Sequence, residues 1–137
     1  SGYQIPQVRY TGDNVWVEDG SRRHETGCYE TIHHEWVIHN SGKVVWTKRK
    51  LVLVNQKEVR PKFSMTEIDI PDVLPGGITK IAVDIAANGF EGKFECKWEM
   101  QDADGENCFP NSRYIFDVDI IVSFDYDRFK SDRRTES

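Results

Sequence analysis

The sequence lacks three features that would place it in other classes of protein. It has no apolar run approaching 18 residues, so we expect no membrane contact through a spanning helix. It has no segment with a helical hydrophobic stripe, which argues against a helical bundle. It has no basic excess, because 23 acidic residues outnumber 18 basic ones among 137. Recognition of phosphates needs a concentrated basic face, so we expect no direct nucleic-acid binding by this domain.

Cysteine is scarce, and its spacing is uninformative for metal or redox motifs. The three cysteines, Cys28, Cys96 and Cys108, form an odd set without a C-x-x-C pair, whereas secreted disulfide scaffolds usually carry an even and denser set. Two arrangements remain open: a Cys28–Cys96 bridge between two sheets, as in Ig-type domains, or reduced thiols in a cytoplasmic protein, which we favour. The chain has no signal peptide and begins at Ser1 without methionine, so we expect it to be part of a longer protein.

Motifs of nucleophilic or phosphate chemistry are also missing. The sequence has neither a G-x-S-x-G elbow nor a phosphate loop, and we predict no cofactor and no enzyme. The stretch from His24 to His34 contains imidazoles and the Cys28 thiol, which suit zinc. However, His33 and His34 face opposite sides of a strand, so one ion cannot bind both. We therefore predict no metal site, and keep a metal-dependent enzyme that uses His24, Cys28 and His34 as the weakest hypothesis.

An acidic segment, residues 102–107, has the appearance of the start of a calcium loop. An EF-hand pattern needs its glycine two positions later and a distant bidentate glutamate, and neither is present. We therefore predict a turn between strands in which Gly105 has a positive φ.

Alternation of apolar and polar residues with a period of two dominates the rest of the chain, and turn signals such as Asn88-Gly89 separate the alternating runs. This pattern predicts an all-β, Ig-like antiparallel sandwich of about seven to nine strands. We expect one domain over residues 1–126, whose first ten or so residues form an extended arm, and a charged, disordered tail over residues 127–137. The inward-facing positions predict the structural core: Trp36, Ile38, Val83, Phe94, Trp98, Phe116, Val118 and Ile120.

An ordered series of short motifs resembles a known family. The run from Trp36 to Gly42, followed by Trp46, gives the pattern W-x-l-x-N-x-G…W. The series continues through residues 70–76, Gly92-Lys93-Phe94, Trp98-Glu99-Met100 and residues 102–110. Over residues 10–124 the sequence resembles the FW (four-tryptophan) Ig-like domain of NBR-type autophagy receptors. It is most similar to the bacterial branch, which commonly follows an XRE-type helix-turn-helix.

One tryptophan departs from that family pattern. The fourth tryptophan should fall near the last strand, where this chain has Tyr114 and Phe116, whereas Trp16 lies on the expected first strand. Tyrosine or phenylalanine fills much of the same core volume, so the departure leaves the expected fold unchanged.

The resemblance implies a non-catalytic module that binds a protein or peptide, and it supplies no catalytic residues. In the bacterial fusions it implies the C-terminal effector or oligomerisation domain of a larger, transcription-regulatory protein. Open sheet edges would allow strand addition by a partner or by a second copy. Large aromatics are favoured at contact sites, so we expect Trp46 above all, then Trp16 and Phe109, to bind the partner. A small-ligand or carbohydrate-binding surface sandwich is the alternative.

Overall fold

Ten β-strands and a 3₁₀ helix at Gln56–Glu58 account for the regular structure of residues 8–18 and 22–124, the parts of the chain that the computed structural model describes. Most of the predicted arm and the whole of the predicted tail lie outside the described residues. The strands are β1 (Val15–Val17), β2 (Arg23–Thr26), β3 (Thr31–Asn40), β4 (Arg49–Leu53), β5 (Lys62–Phe63), β6 (Glu67–Ile70), β7 (Ile78–Ala86), β8 (Gly92–Cys96), β9 (Trp98–Gln101) and β10 (Val118–Val122).

The first sheet has the order β1-β3-β7-β5, and every neighbouring pair is antiparallel. Its centre is the long β3–β7 ladder, which runs from Thr31 opposite Ala86 to His39 opposite Ile78. In β3 the even positions from His34 to Asn40 are buried, as alternation predicts for a sheet with one face on the core. β1 pairs with the last part of β3 and forms one edge of this sheet.

The second face of the sandwich consists of two three-stranded ladders, β2-β10-β8 and β6-β4-β9. Only Lys97 separates β8 from β9, so one nearly continuous strand joins both ladders. The Asn55 side chain bridges this interruption, because its amide donates to the Glu95 carbonyl and its carbonyl accepts from the Lys97 N–H, each at 2.8 Å. The sequence predicts one unbroken strand here. The structure divides it because β8 pairs with β10 whereas β9 pairs with β4.

The two faces enclose one hydrophobic core. The Trp36 and Trp98 rings meet edge to face with centroids 5.1 Å apart, and the Phe63 ring packs against Trp98 at 5.5 Å. The Trp36 indole also donates to the Phe116 carbonyl at 3.0 Å. Of the residues expected in the core, Phe94 alone is half-buried, and the structure buries Trp36, Ile38, Val83, Trp98, Phe116, Val118 and Ile120.

This architecture confirms the predicted all-β, Ig-like sandwich. The described part of the chain has ten strands because one predicted strand is divided, because β2 is polar, and because β5 has only two residues, too few for an alternation to show. β2 runs parallel to β10, from Arg23 opposite Asp119 to Thr26 opposite Val122. Cys28, Cys96 and Cys108 are buried and no disulfide joins any two of them, so the structure has the reduced arrangement of thiols.

The Asn40-Ser41-Gly42 segment contacts three other parts of the chain at one end of the sandwich, at Val44, Val73 and Asn14. The fully buried Asn40 amide donates to the carbonyls of Val44 and Val73, at 2.8 and 3.0 Å. A Cβ on Gly42 would lie 2.3 Å from the backbone nitrogen of Asn14, a distance that no side chain tolerates. The asparagine and the glycine of the W-x-l-x-N-x-G pattern are therefore required by packing.

Nothing helical in the described part of the chain has the length and the apolar content that a membrane crossing requires.

Candidate functional site

Trp46, the preferred candidate for contact with a partner, is 0% exposed. It forms an isolated bridge with Val73, and its indole donates to Asp13 at 2.8 Å. Arg49 packs over its ring, with the guanidinium carbon 5.6 Å from the ring centre. A side chain without accessible surface cannot meet a partner, so the expectation that Trp46 is a surface contact is corrected: it is part of the core.

Phe109 belongs to the same buried end of the sandwich. It is 3% exposed, and its ring lies 6.3 Å from that of Trp46. Arg49 forms a buried ion pair with Asp13 at 2.7 Å and lies within cation–π distance of Tyr10, Trp46 and Phe109. These residues anchor the segment before β1 onto β4, which is a structural task. Phe109, like Trp46, offers no open surface to a ligand.

The predicted acidic turn, residues 102–107, contacts the same region through Arg9 and Tyr10. Gly105 has a φ of +79°, as expected. One oxygen of the buried Asp102 carboxylate accepts the backbone N–H groups of Asp104 and Glu106, and the other accepts from Tyr10 and Arg9. Burial by itself raises the pKa of Asp102, but the hydrogen bonds from Tyr10, Glu106, Arg9 and Asp104 outweigh it and hold the pKa at about 2. The Asp102 carboxylate therefore joins the turn to residues 9–10, and we call this set of hydrogen bonds the Asp102 clasp.

This clasp predicts a loss of stability in acid. The pKa of Asp102 is 3.8 in its ordinary state and about 2 in the fold, so the ionised carboxylate stabilises the fold fully above about pH 4. That contribution is lost as the pH falls from about 4 to about 2. We expect Asp102→Asn to melt below wild type at pH 7, and the difference to shrink by pH 2.5. Thermal melts across this range test it, with Asp72→Asn, which removes an exposed carboxylate outside the clasp, as control. An unchanged difference at pH 2.5 would contradict the assignment.

The histidine stretch does not assemble a metal centre among the described residues. His24 and His34 do meet, with Nε2 of His24 2.8 Å from Nδ1 of His34, and burial lowers the pKa of His24. No third histidine, cysteine or carboxylate joins them, since the described residues contain no group of three such ligands. His33 points away to Asp84 at 2.8 Å. The imidazole pair instead links β2 of one face to β3 of the other.

The buried thiols are equally unsuited to nucleophilic catalysis. Burial raises the pKa of Cys96 to about 12 and that of Cys108 to about 11. The reactive form of cysteine is the thiolate, so both groups stay protonated and inert near neutral pH.

Trp16 is the one predicted contact residue that the structure leaves open. It is 55% exposed on β1, on the outer face of the first sheet. Its ring packs on His39 with centroids 4.3 Å apart, and His39 is also paired with Glu18 at 2.7 Å. His39 lies opposite Ile78, which is 57% exposed. Trp16, His39 and Ile78 thus form an apolar and aromatic row across three strands.

The free edge of β1 borders this row. Among the described residues, β1 is paired on one side only, with β3. The Glu18 N–H donates to the Val37 carbonyl, and alternate residues of an antiparallel ladder direct their backbone groups to opposite sides. The N–H and C=O groups of Val15 and Val17 therefore point to the open side, where another strand can pair with them.

A groove of about 260 Å³ runs beside β1. The β1 residues line one side and Ile115 and Asp117 the other, and the buried side chains of His34 and Trp36 form its base. We call this groove, together with the open β1 backbone and Trp16, the β1-edge site. It combines an exposed indole, unpaired backbone groups and a concave surface, three features that suit an extended peptide.

Carboxylates outnumber cations in the β1-edge site. Glu18, Glu35 and Asp117 line the groove, and among the described residues Arg22 is the only lysine or arginine that lines it. Burial raises the pKa of Asp117, although a hydrogen bond from the Trp98 backbone and the charge of Arg22 oppose this rise. The sequence predicts that Asp117 is an ordinary carboxylate on the outer face of the last strand. Its place in the groove depends on the approach of distant β1, for which no local signal exists.

One family model matches most of the chain, and this observation decides its classification. The family is described as the Ig-like domain from next to BRCA1 gene, and its model covers residues 17–122. The chain belongs to this family. The Ig-like, NBR-type part of the sequence resemblance is therefore confirmed, and such Ig-like domains are typically non-catalytic interaction modules.

A solved structure with a similar fold is the ASH/PapD-like domain of human CEP192 (PapD-like domain 7). It has 13% sequence identity and a TM-score of 0.43, and the match covers 90% of this chain and 93% of the other. No curated protein sequence is similar enough to count as a match.

Proposed function

We propose that this domain is a non-catalytic interaction module that binds an extended segment of a partner protein at the β1-edge site. The exposed Trp16 beside an edge strand with open backbone groups is the observation that carries the proposal. Strand addition would supply main-chain hydrogen bonds to Val15 and Val17, and the groove would supply selectivity for side chains. The indole provides the large aromatic surface that dominates many protein contacts.

The setting of the domain is also a proposal. The sequence resembles the bacterial branch of the family, which supports a role as the C-terminal effector or oligomerisation domain of a larger, cytoplasmic, transcription-regulatory protein. In that role the partner is another protein of the same regulatory system. A second copy of the chain that adds its own β1 is the alternative occupant of the edge, and it would appear as a dimer in sedimentation experiments.

Trp16→Ala tests the proposal directly. We expect the variant to melt within about 2 °C of wild type, because an exposed side chain contributes little to stability. Partners captured by the wild-type domain should bind the variant roughly 30-fold more weakly or not at all, as for a contact residue worth about 2 kcal/mol. Pull-down followed by titration of the captured partner measures both effects.

The matched control is Tyr29→Ala. Tyr29 is 79% exposed, and it precedes β3, whereas β1 pairs with the end of β3 that is far from it. The Tyr29→Ala change therefore removes an even more exposed aromatic side chain from a different surface. Partner binding that survives Trp16→Ala, or that is lost equally in Tyr29→Ala, would refute the β1-edge site. Hydrogen exchange adds a second measure, since strand addition should slow exchange of the Val15 and Val17 amides.

A further inference from the structure

The alternation of an added strand fixes where its side chains would go. Side chains two residues apart lie on the same face, about 7 Å from one another. Next to β1, one set of side chains would enter the groove beside Val15, Val17 and Ile115, and the other set would lie on the outer face beside Trp16. The set that enters the groove therefore meets both an apolar wall and carboxylates.

Two of the groove carboxylates have no cationic partner among the described residues. Glu18 is paired with His39, whereas Glu35 and Asp117 form no ion pair with any described lysine, arginine or histidine. Arg22 approaches Asp117 through the backbone, because its Nε donates to the Asp117 carbonyl at 3.3 Å. Neither Glu35 nor Asp117 is thus held in a direct ion pair, although the charge of Arg22 acts on Asp117, and both carboxylates line the open groove.

The same charge continues past Asp117. An adjoining groove of about 290 Å³ is lined by Arg22, Glu95, Tyr114, Asp117 and Asp119, so Asp117 borders both grooves. Three carboxylates face one guanidinium there as well. A partner that follows β1 towards Asp117 therefore meets more carboxylates than cations among the described residues, which favours basic segments over acidic ones.

We infer that the β1-edge site selects an extended protein segment that carries a lysine or arginine two residues from an apolar side chain. The apolar side chain packs against Val15, Val17 and Ile115, and the basic one reaches Asp117, with the exposed Glu35 at the outer rim of the groove. This inference rests on the proposed function and adds the chemistry of the partner to it. Acidic peptides and nucleic acids are excluded by the same carboxylates.

Selection from a phage-displayed library of random decapeptides tests the inference. The library is selected on the wild-type domain and depleted on Trp16→Ala. We expect the surviving peptides to be enriched in lysine or arginine spaced by two from an apolar residue. A synthetic peptide from this set should lose about tenfold in affinity when its basic residue becomes glutamine, and a similar amount on the Asp117→Asn domain. Calorimetric titration measures each affinity.

Two further variants complete the design. Asp69→Asn removes an exposed carboxylate from β6, in the other face of the sandwich, and should leave the affinity within twofold. Because Asp117 also accepts the Trp98 N–H, each variant is melted before titration. If Asp117→Asn does not fold, the exposed Glu35→Gln takes its place.

The outcomes separate the two claims. Peptides that depend on Trp16 but show no basic enrichment would overturn the inference and leave the proposed function standing. The same holds if Asp117→Asn, or Glu35→Gln where it takes its place, binds like wild type. If no selected peptide depends on Trp16, the proposed function itself is wrong.

Discussion

Replacing Trp46 with alanine is expected to lower the free energy of unfolding by about 3–5 kcal/mol, the usual range for a large buried aromatic. The indole is fully buried, donates to Asp13 and packs under Arg49. Its removal leaves a cavity and takes one hydrogen bond from a buried carboxylate. Against a typical domain stability of about 5–15 kcal/mol, this is a large fraction, and urea unfolding at pH 7 measures it.

Two controls make the Trp46 result interpretable. Trp46→Phe keeps most of the ring volume but loses the indole donor, so it should cost less than the alanine variant. Trp16→Ala removes the same side chain from the surface and should change the unfolding free energy by no more than about 0.5 kcal/mol. If Trp46→Ala unfolded like wild type and lost only partner binding, Trp46 would be a contact residue after all.

Asp13→Ala should destabilise the fold by a similar amount, about 3–5 kcal/mol, because it leaves the Arg49 guanidinium buried without its counter-ion. The two side chains are 0% and 3% exposed and 2.7 Å apart. Arg49→Met should also destabilise, but less, because Asp13 still accepts the Trp46 indole. Chemical denaturation of each variant gives these values.

The double variant Asp13→Ala, Arg49→Met separates the pair from its surroundings. The double variant contains no buried charge without a partner. Its loss of unfolding free energy should therefore be smaller than the sum of the losses in the two single variants. An additive result would mean that solvent reaches the pair and screens it, contrary to the burial of both side chains.

The alternating apolar pattern predicts the long strands well, because in them each residue's face follows directly from its position. β3, β7 and β10 have the alternation and the burial that the sequence indicates. The pattern fails for β2, whose residues His24, Glu25 and Thr26 are polar. That strand exists because β10, nearly a hundred residues later, pairs with it, and no local signal records such a partner.

The burial of Trp46 could not be predicted from the sequence either, because it also depends on distant parts of the chain. Trp46 lies in a loop without periodicity, so its face cannot be inferred from its neighbours. Its burial comes from Asp13 and Val73, which approach from distant parts of the chain. Trp16 could be placed on the first strand from sequence. Its exposure and the groove beside it depend on β1 being an edge strand, and topology alone decides that.

The parallel pairing of β2 with β10 has a mechanical consequence. These strands lie near the two ends of the described chain, and their parallel alignment means that tension between the ends acts along the strands in opposite directions. The hydrogen bonds between them are then loaded together, in shear, whereas an antiparallel hairpin would open one bond at a time. Force applied between the two ends of the described chain would therefore meet a link that resists extension.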